Sequence, residues 1–90
     1  MTEKIVTVKN RSGIHTRPAA AMVKIANGFS SKITIVKEAE NETINAKSIL
    51  GVLTLCAVYN TELLIRAEGA DEAEAVQALS DFFDRRFEEA

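Results

Sequence analysis

The 90-residue chain has no tryptophan and only one tyrosine, one cysteine, one proline and one histidine. Each scarcity removes a class of function. So few flat aromatic side chains offer no ladder on which successive nucleic-acid bases stack. The lone Cys56 has no partner for an internal disulfide, and one Cys with one His falls short of the three or four ligands of a zinc site, so no metal is expected. Cys56 lies in the apolar run Leu53-Thr54-Leu55-Cys56-Ala57-Val58 and reads as an inert, buried, small hydrophobe. A net charge of −2 argues against broad nucleic-acid binding, which needs a basic face to displace phosphate counterions. No stretch approaches the roughly 18 apolar residues of a membrane span. The opening Met1-Thr2-Glu3-Lys4-Ile5-Val6 lacks the pattern of a secretory leader. The expectation is a cytoplasmic protein without membrane insertion.

What is present suits one small domain over residues 1–90, with 47% apolar and 27% charged residues and no low-complexity linker. A chain of this size buries about 60–65% of its unfolded surface, enough for a single core. Lys4–Lys9 is β-branched, with Val6 and Val8 at period two, and reads as a first strand that ends at the turn-rich Asn10-Arg11-Ser12-Gly13. Ala19, Met22, Val23 and Ala26 recur at helical spacing before an Asn27-Gly28 stop. Lys32–Lys37 and Glu42–Ala46 form a hairpin pattern around Glu38-Ala39-Glu40-Asn41. Ile49, Val52, Leu53 and Cys56 suggest a short helix starting near Ser48, although a buried strand fits the same apolar density. Glu62–Glu68 alternates Leu63, Ile65 and Ala67 inward and stops at Gly69. Asp71 with Glu74 has the spacing of a capping box, opening an amphipathic helix with the stripe Val76, Leu79, Phe83, Phe87. The order β-α-β-β-α-β-α belongs to the α+β class, with helices on one face of the sheet and water on the other.

The only histidine lies between a strand end and a helix start, in Arg11-Ser12-Gly13-Ile14-His15-Thr16-Arg17-Pro18-Ala19-Ala20. A single His is by itself more often structural than functional, and its place in the chain changes the balance. Pro18 belongs in a first helical turn, where its missing N–H removes a donor that has no intrahelical acceptor anyway. His15 therefore sits at or beside the cap. There the free N–H groups of Thr16 and Arg17, the positive end of the helix dipole and the Arg17 guanidinium make an anion cradle around a nucleophile. An imidazole in such a cradle can accept a phosphoryl group whose new charge is stabilised at once. Ser48 before the short helix is an ordinary N-cap, worth about 1 kcal/mol without any further role.

Gly13-Ile14-His15-Thr16-Arg17-Pro18-Ala19 resembles the active-site signature of the HPr family, the histidine-containing phosphocarriers of the bacterial phosphoenolpyruvate-dependent sugar phosphotransferase system. Ala46–Leu55 resembles the family's regulatory-serine segment, and Glu68-Gly69-Ala70-Asp71-Glu72 resembles its approach to the last helix. The resemblance covers nearly the whole chain. It implies an open-faced β-sandwich, a four-stranded antiparallel sheet with three helices on one face. It implies that His15 takes a phosphoryl group on Nδ1 from phosphorylated enzyme I and passes it to a histidine on IIA domains of sugar permeases. Ser12, Thr16 and Arg17 would then surround the phosphate, and Ala20, Lys24, Ile49, Leu50 and Leu53 would form the docking face for both partners. Ser48 would be the target of an HPr kinase/phosphorylase. The carrier would be a monomer with no cofactor, completing no reaction unaided.

Where the family commonly has Ala, this chain has Thr16; where many relatives have a basic residue, it has Asn27; and Cys56-Ala57-Val58-Tyr59-Asn60-Thr61 stands where the family usually has a Gly-containing turn after the short helix. Asn60 tolerates the left-handed conformation best among non-Gly residues. A regulatory paralogue, nitrogen-related or of the catabolite-repression type, is the rival within the family. A ferredoxin-like binding module shares much of the element order but has no use for His-x-Arg-Pro at a helix start, and a purely structural interaction domain is the third reading.

Overall fold

The computed structural model describes residues 1–89. Its elements are β1 (Thr2–Thr7), α1 (Thr16–Ala26), β2 (Lys32–Lys37), β3 (Glu42–Asn45), α2 (Ile49–Thr54), β4 (Glu62–Glu68) and α3 (Glu72–Asp84). The four strands form one antiparallel sheet in the order β1-β4-β2-β3. Sequence-adjacent β1 and β2 are thus separated by β4, which explains why helices must carry the chain across. The α+β class and the element order agree with the expectation.

Alternation sets which face is covered. In β4, Leu63, Ile65 and Ala67 are buried, and their register partners include Val6 in β1 and Ile35 and Ile33 in β2, which are buried with them. Against this face lie Met22 of α1, Val52 of α2 and Leu79 and Phe83 of α3, all fully buried. On the opposite face Ile5 is 60% exposed. β2 and β4 have the bounds read from the sequence; β1 lies two residues earlier, although Val8 beyond its end stays buried and keeps pairing, with its N–H donating to the Thr61 carbonyl at 2.9 Å.

Three expectations are corrected by tertiary contacts. Cys56 is exposed, not buried, because α2 ends at Thr54 and Cys56 turns outward with φ 49°, leaving Leu55 to fill the core. Phe87 is buried, but beyond the end of α3: Phe87 has φ 54°, and its ring meets Phe83 edge-on at 4.9 Å. The capping box does not form. Asp71 makes no side-chain cap; its carboxylate instead accepts the Ser30 and Ser31 N–H groups, both at 2.9 Å, and the Ser31 hydroxyl. Those donors, in the loop after α1, would otherwise be unpaired, so they outcompete the local cap.

Glu72 beside it accepts the N-terminal ammonium at 2.9 Å, the Thr2 hydroxyl at 2.7 Å and the Gly69 N–H at 3.1 Å. Gly69 has φ 152°, and a Cβ there would sit 2.6 Å from the Ser31 hydroxyl oxygen, so the clasp closes only over a glycine.

The Ser31 hydroxyl and then the Ser30 N–H hold Asp71 down to about 2 from 3.8. The N-terminal ammonium and then the Thr2 hydroxyl hold Glu72 down to about 2 from 4.5. Both carboxylates are more acidic folded than unfolded, so their contribution is complete above the unfolded values and is lost as pH falls toward about 2. Acid unfolding followed by circular dichroism should show stability declining across that window. Asp71→Asn should lower stability at pH 7 and flatten the decline; an unchanged acid limb would exclude the clasp.

Candidate functional site

The loop from β1 to α1 is closed on itself before it reaches His15. Asn10, 7% exposed, donates from Nδ2 to the Gly13 carbonyl at 2.8 Å, and the Gly13 N–H donates to the Asn10 carbonyl at 3.1 Å. Gly13 takes φ 70°. The next N–H, of Ile14, donates to the Ala57 carbonyl at 2.9 Å, and the Ile14 side chain is buried. Two turns distant in sequence are thereby joined one residue before the histidine. The second turn is itself held by Asn60 N–H donating to the Val8 carbonyl at 2.8 Å, with Asn60 at φ 72° as its composition allows.

His15 is the N-cap residue of α1, in extended conformation, with its carbonyl accepting the Ala19 N–H at 2.9 Å. Its half-buried ring makes no capping bond and has no hydrogen-bond or ion-pair partner among the described residues. Pro18 is buried in the first turn, so Thr16 and Arg17 supply the N–H groups that have no acceptor within the helix. Ser12, Thr16 and Arg17 are all exposed around the cap. The first turn contains no acidic residue, and the chain has no Asp or Glu between Glu3 and Glu38, while Lys4, Lys9, Arg11, Arg17, Lys24, Lys32 and Lys37 lie in that interval. Among the described residues no carboxylate pairs with Arg11, Arg17 or Lys24. The cap is thus a cationic, solvent-open end holding a free imidazole, an arrangement suited to binding a dianion and bonding to it.

Helix α2 packs beside α1. The Ser48 hydroxyl oxygen is its N-cap, accepting the Gly51 N–H at 3.0 Å, and Lys37 receives the other end by donating to the Leu55 carbonyl at 2.8 Å. Of the residues expected to dock partners, Ala20 and Lys24 of α1 are exposed, Ile49 and Leu50 of α2 are 44% and 77% exposed, and Leu53 is half-buried against the core. Val52 alone of that helix is fully buried.

Two contributors were not singled out in the sequence. Asn10 clamps the turn before His15, and its place at the head of the Asn10-x-x-Gly13 turn is the signal that could have found it. Arg11 stacks over the Tyr59 ring, 5.7 Å from its centroid, joining the same two turns from outside.

A family model described as the PTS HPr component phosphorylation site matches residues 2–85. Phosphocarrier protein HPr of Treponema pallidum is 44% identical over 89 residues, covering 99% of each chain. The crystal structure of an HPr from Thermoanaerobacter tengcongensis superposes with a TM-score of 0.93 at 41% identity, covering 100% of this chain and 99% of that one. Crh of Bacillus subtilis, a catabolite-repression protein crystallised as a domain-swapping, intertwined dimer, superposes at 0.75 with 35% identity, covering 96% and 97%.

The junction at Gly13 generates a stability test. A Cβ there would lie 2.7 Å from the Ala57 carbonyl oxygen, at a φ that L-residues adopt at a cost. Gly13→Ala should therefore lose about 2 kcal/mol or more, lowering Tm by on the order of 10 °C in thermal unfolding. A loss below about 0.5 kcal/mol, the range of an ordinary surface change, would mean that the two turns are not locked together.

Proposed function

This chain belongs to the HPr family of phosphocarrier proteins, and on that premise we propose that it accepts a phosphoryl group on His15 from phosphorylated enzyme I and delivers it to IIA domains of sugar permeases. The observation that carries the reading is the imidazole at the N-cap of α1, unpartnered among the described residues, none of whose carboxylates neutralises Arg17. The Nδ1 lone pair of His15 forms the bond to phosphorus as the bond to the donor group breaks, and the phosphoryl oxygens come to rest against the Thr16 and Arg17 N–H groups. The Arg17 guanidinium adds charge-assisted hydrogen bonds, with Ser12 at the rim. Such a site stabilises the phosphoryl group without enclosing it, which a carrier requires if it is to be discharged as readily as charged. No metal or cofactor enters the scheme, and the whole chain acts as one domain.

Ala20, Lys24, Ile49, Leu50 and Leu53 form the face presented to both partners. Apolar side chains as open as Leu50 cover nothing in the monomer and suit a transient interface. The transferring species is a monomer, unlike the intertwined Crh dimer. A catabolite-repression role alone would leave the free imidazole at the cap unused, which favours the carrier.

Incubation with enzyme I and labelled phosphoenolpyruvate should place acid-labile label on a single 9.8-kDa chain. His15→Ala should take none while staying folded, and Arg17→Ala should be labelled on the order of 10- to 100-fold more slowly. Label on the His15 variant would overturn the assignment.

Ser48 is a second site on the same face. Between Glu42 and Glu62 the chain carries no acidic residue, so a phosphoryl group on the Ser48 hydroxyl would bring the first negative charge to that segment, about −1.5 to −2 at pH 7. At the N-cap it would agree with the dipole of α2 and leave the fold intact, while opposing partners drawn to the cations of α1. An HPr kinase/phosphorylase is the expected modifying enzyme. Mass spectrometry of the protein from its native host should find phosphoserine at Ser48 when a rapidly used sugar is supplied; its absence under every carbon source would remove this role.

A further inference from the structure

Neither the core nor the carrier chemistry requires a tyrosine at position 59, yet Tyr59 is held firmly. Its turn is tied to the β1 end by Val8 N–H to the Thr61 carbonyl and Asn60 N–H to the Val8 carbonyl, and across itself by Val58 N–H to the Thr61 hydroxyl at 3.1 Å. The ring stays 46% exposed, beside Val58 at 65%. Arg11 lies over it at 5.7 Å. Arg11 belongs to the clamped turn that ends two residues before His15, and Tyr59 follows by two residues the carbonyl that receives the Ile14 N–H.

The ring face attracts the guanidinium without using any of its N–H donors, which stay available to a partner. No carboxylate of the described residues takes them up. Arg11 is therefore a cation held over Tyr59 four residues before His15, on the flank formed by the two joined turns. A long side chain that is already ordered loses less entropy on pairing than a free one.

Resting on the phosphocarrier reading, we propose that the Arg11–Tyr59 stack is a second arm of the docking surface, which engages carboxylates bordering the reactive histidine of the phosphoryl-donor protein and so sets which donor this carrier accepts. Charge complementarity commits the occupant. Of the seven cations between Lys4 and Lys37, where the chain has no acid, only Lys9 and Lys37 pair with a carboxylate among the described residues, and Arg11, Arg17 and Lys24 lie on the elements that carry His15, so the surface that complements them is acidic. Tyr59 supplies apolar contact and holds Arg11 in place; neither residue touches the phosphoryl group.

The test is the steady-state rate of phosphoryl transfer from cognate phosphorylated enzyme I, measured against carrier concentration and potassium chloride. Arg11→Ala should raise KM about 3- to 10-fold with kcat unchanged, and should make KM less sensitive to salt, as loss of a rim charge does. Tyr59→Ala should raise KM by a smaller factor, Arg11→Lys should fall between, and the double variant Arg11→Ala/Tyr59→Ala should be no worse than Arg11→Ala, because the ring acts through the cation. Circular dichroism and Tm separate these effects from unfolding, which would raise KM and lower kcat together in every assay. An unchanged KM and salt dependence in Arg11→Ala would overturn the inference while leaving the carrier function standing. Failure of the unaltered protein to accept label would instead overturn the function itself.

Discussion

The hydrogen bond from the Ile14 N–H to the Ala57 carbonyl is the contact on which the site depends. It joins the turn after β1 to the turn after α2, one residue before His15, and it can form only because Gly13 leaves room against the same carbonyl. Asn10 closes the first turn and Asn60 the second. With these in place, the direction in which α1 leaves the sheet is set, and with it the position of its open N-terminus. The imidazole owes its placement to backbone, and its side chain is left free for chemistry. A site built from side-chain bonds to the histidine would have used up the ring nitrogens it needs.

Charge is arranged with the same economy. Side-chain ion pairs join Lys9 with Asp84, Lys37 with Glu40, Arg66 with Glu3 and Arg85 with Glu88, none of them a residue of the α1 cap. Exposed pairs of this kind contribute about 0–1 kcal/mol each, so their plainest effect is to neutralise the cations they engage. Arg11, Arg17 and Lys24, on the segment that carries His15, are left without a carboxylate among the described residues. The net charge of −2 conceals this division, and a protein acidic on average presents a basic working end.

Much of this was legible from residues whose neighbours lie close in sequence or whose pattern repeats. Alternation in Lys32–Lys37 and Glu62–Glu68 is imposed by one buried face, and both strands occupy the expected positions. Pro18 located the first turn of α1, and through it the capping position of His15. What was not legible depends on partners that only the fold brings near. Asp71 looks like a local cap until Ser30 and Ser31 arrive beside it. Cys56 continues a helical stripe on paper, and leaves it because Leu55 has already met the core and the chain must turn. Arg11 and Tyr59 are unremarkable apart and become a pair only when two turns are bonded together.

The Asp71 clasp acquires a different meaning when set beside the Ala57 junction. One secures the loop after the C-terminal end of α1, the other the residues before its N-terminal end. The helix is a beam tied to the rest of the fold at both ends. In the proposed carrier role, its fixed N-terminal end is what each larger partner would have to fit.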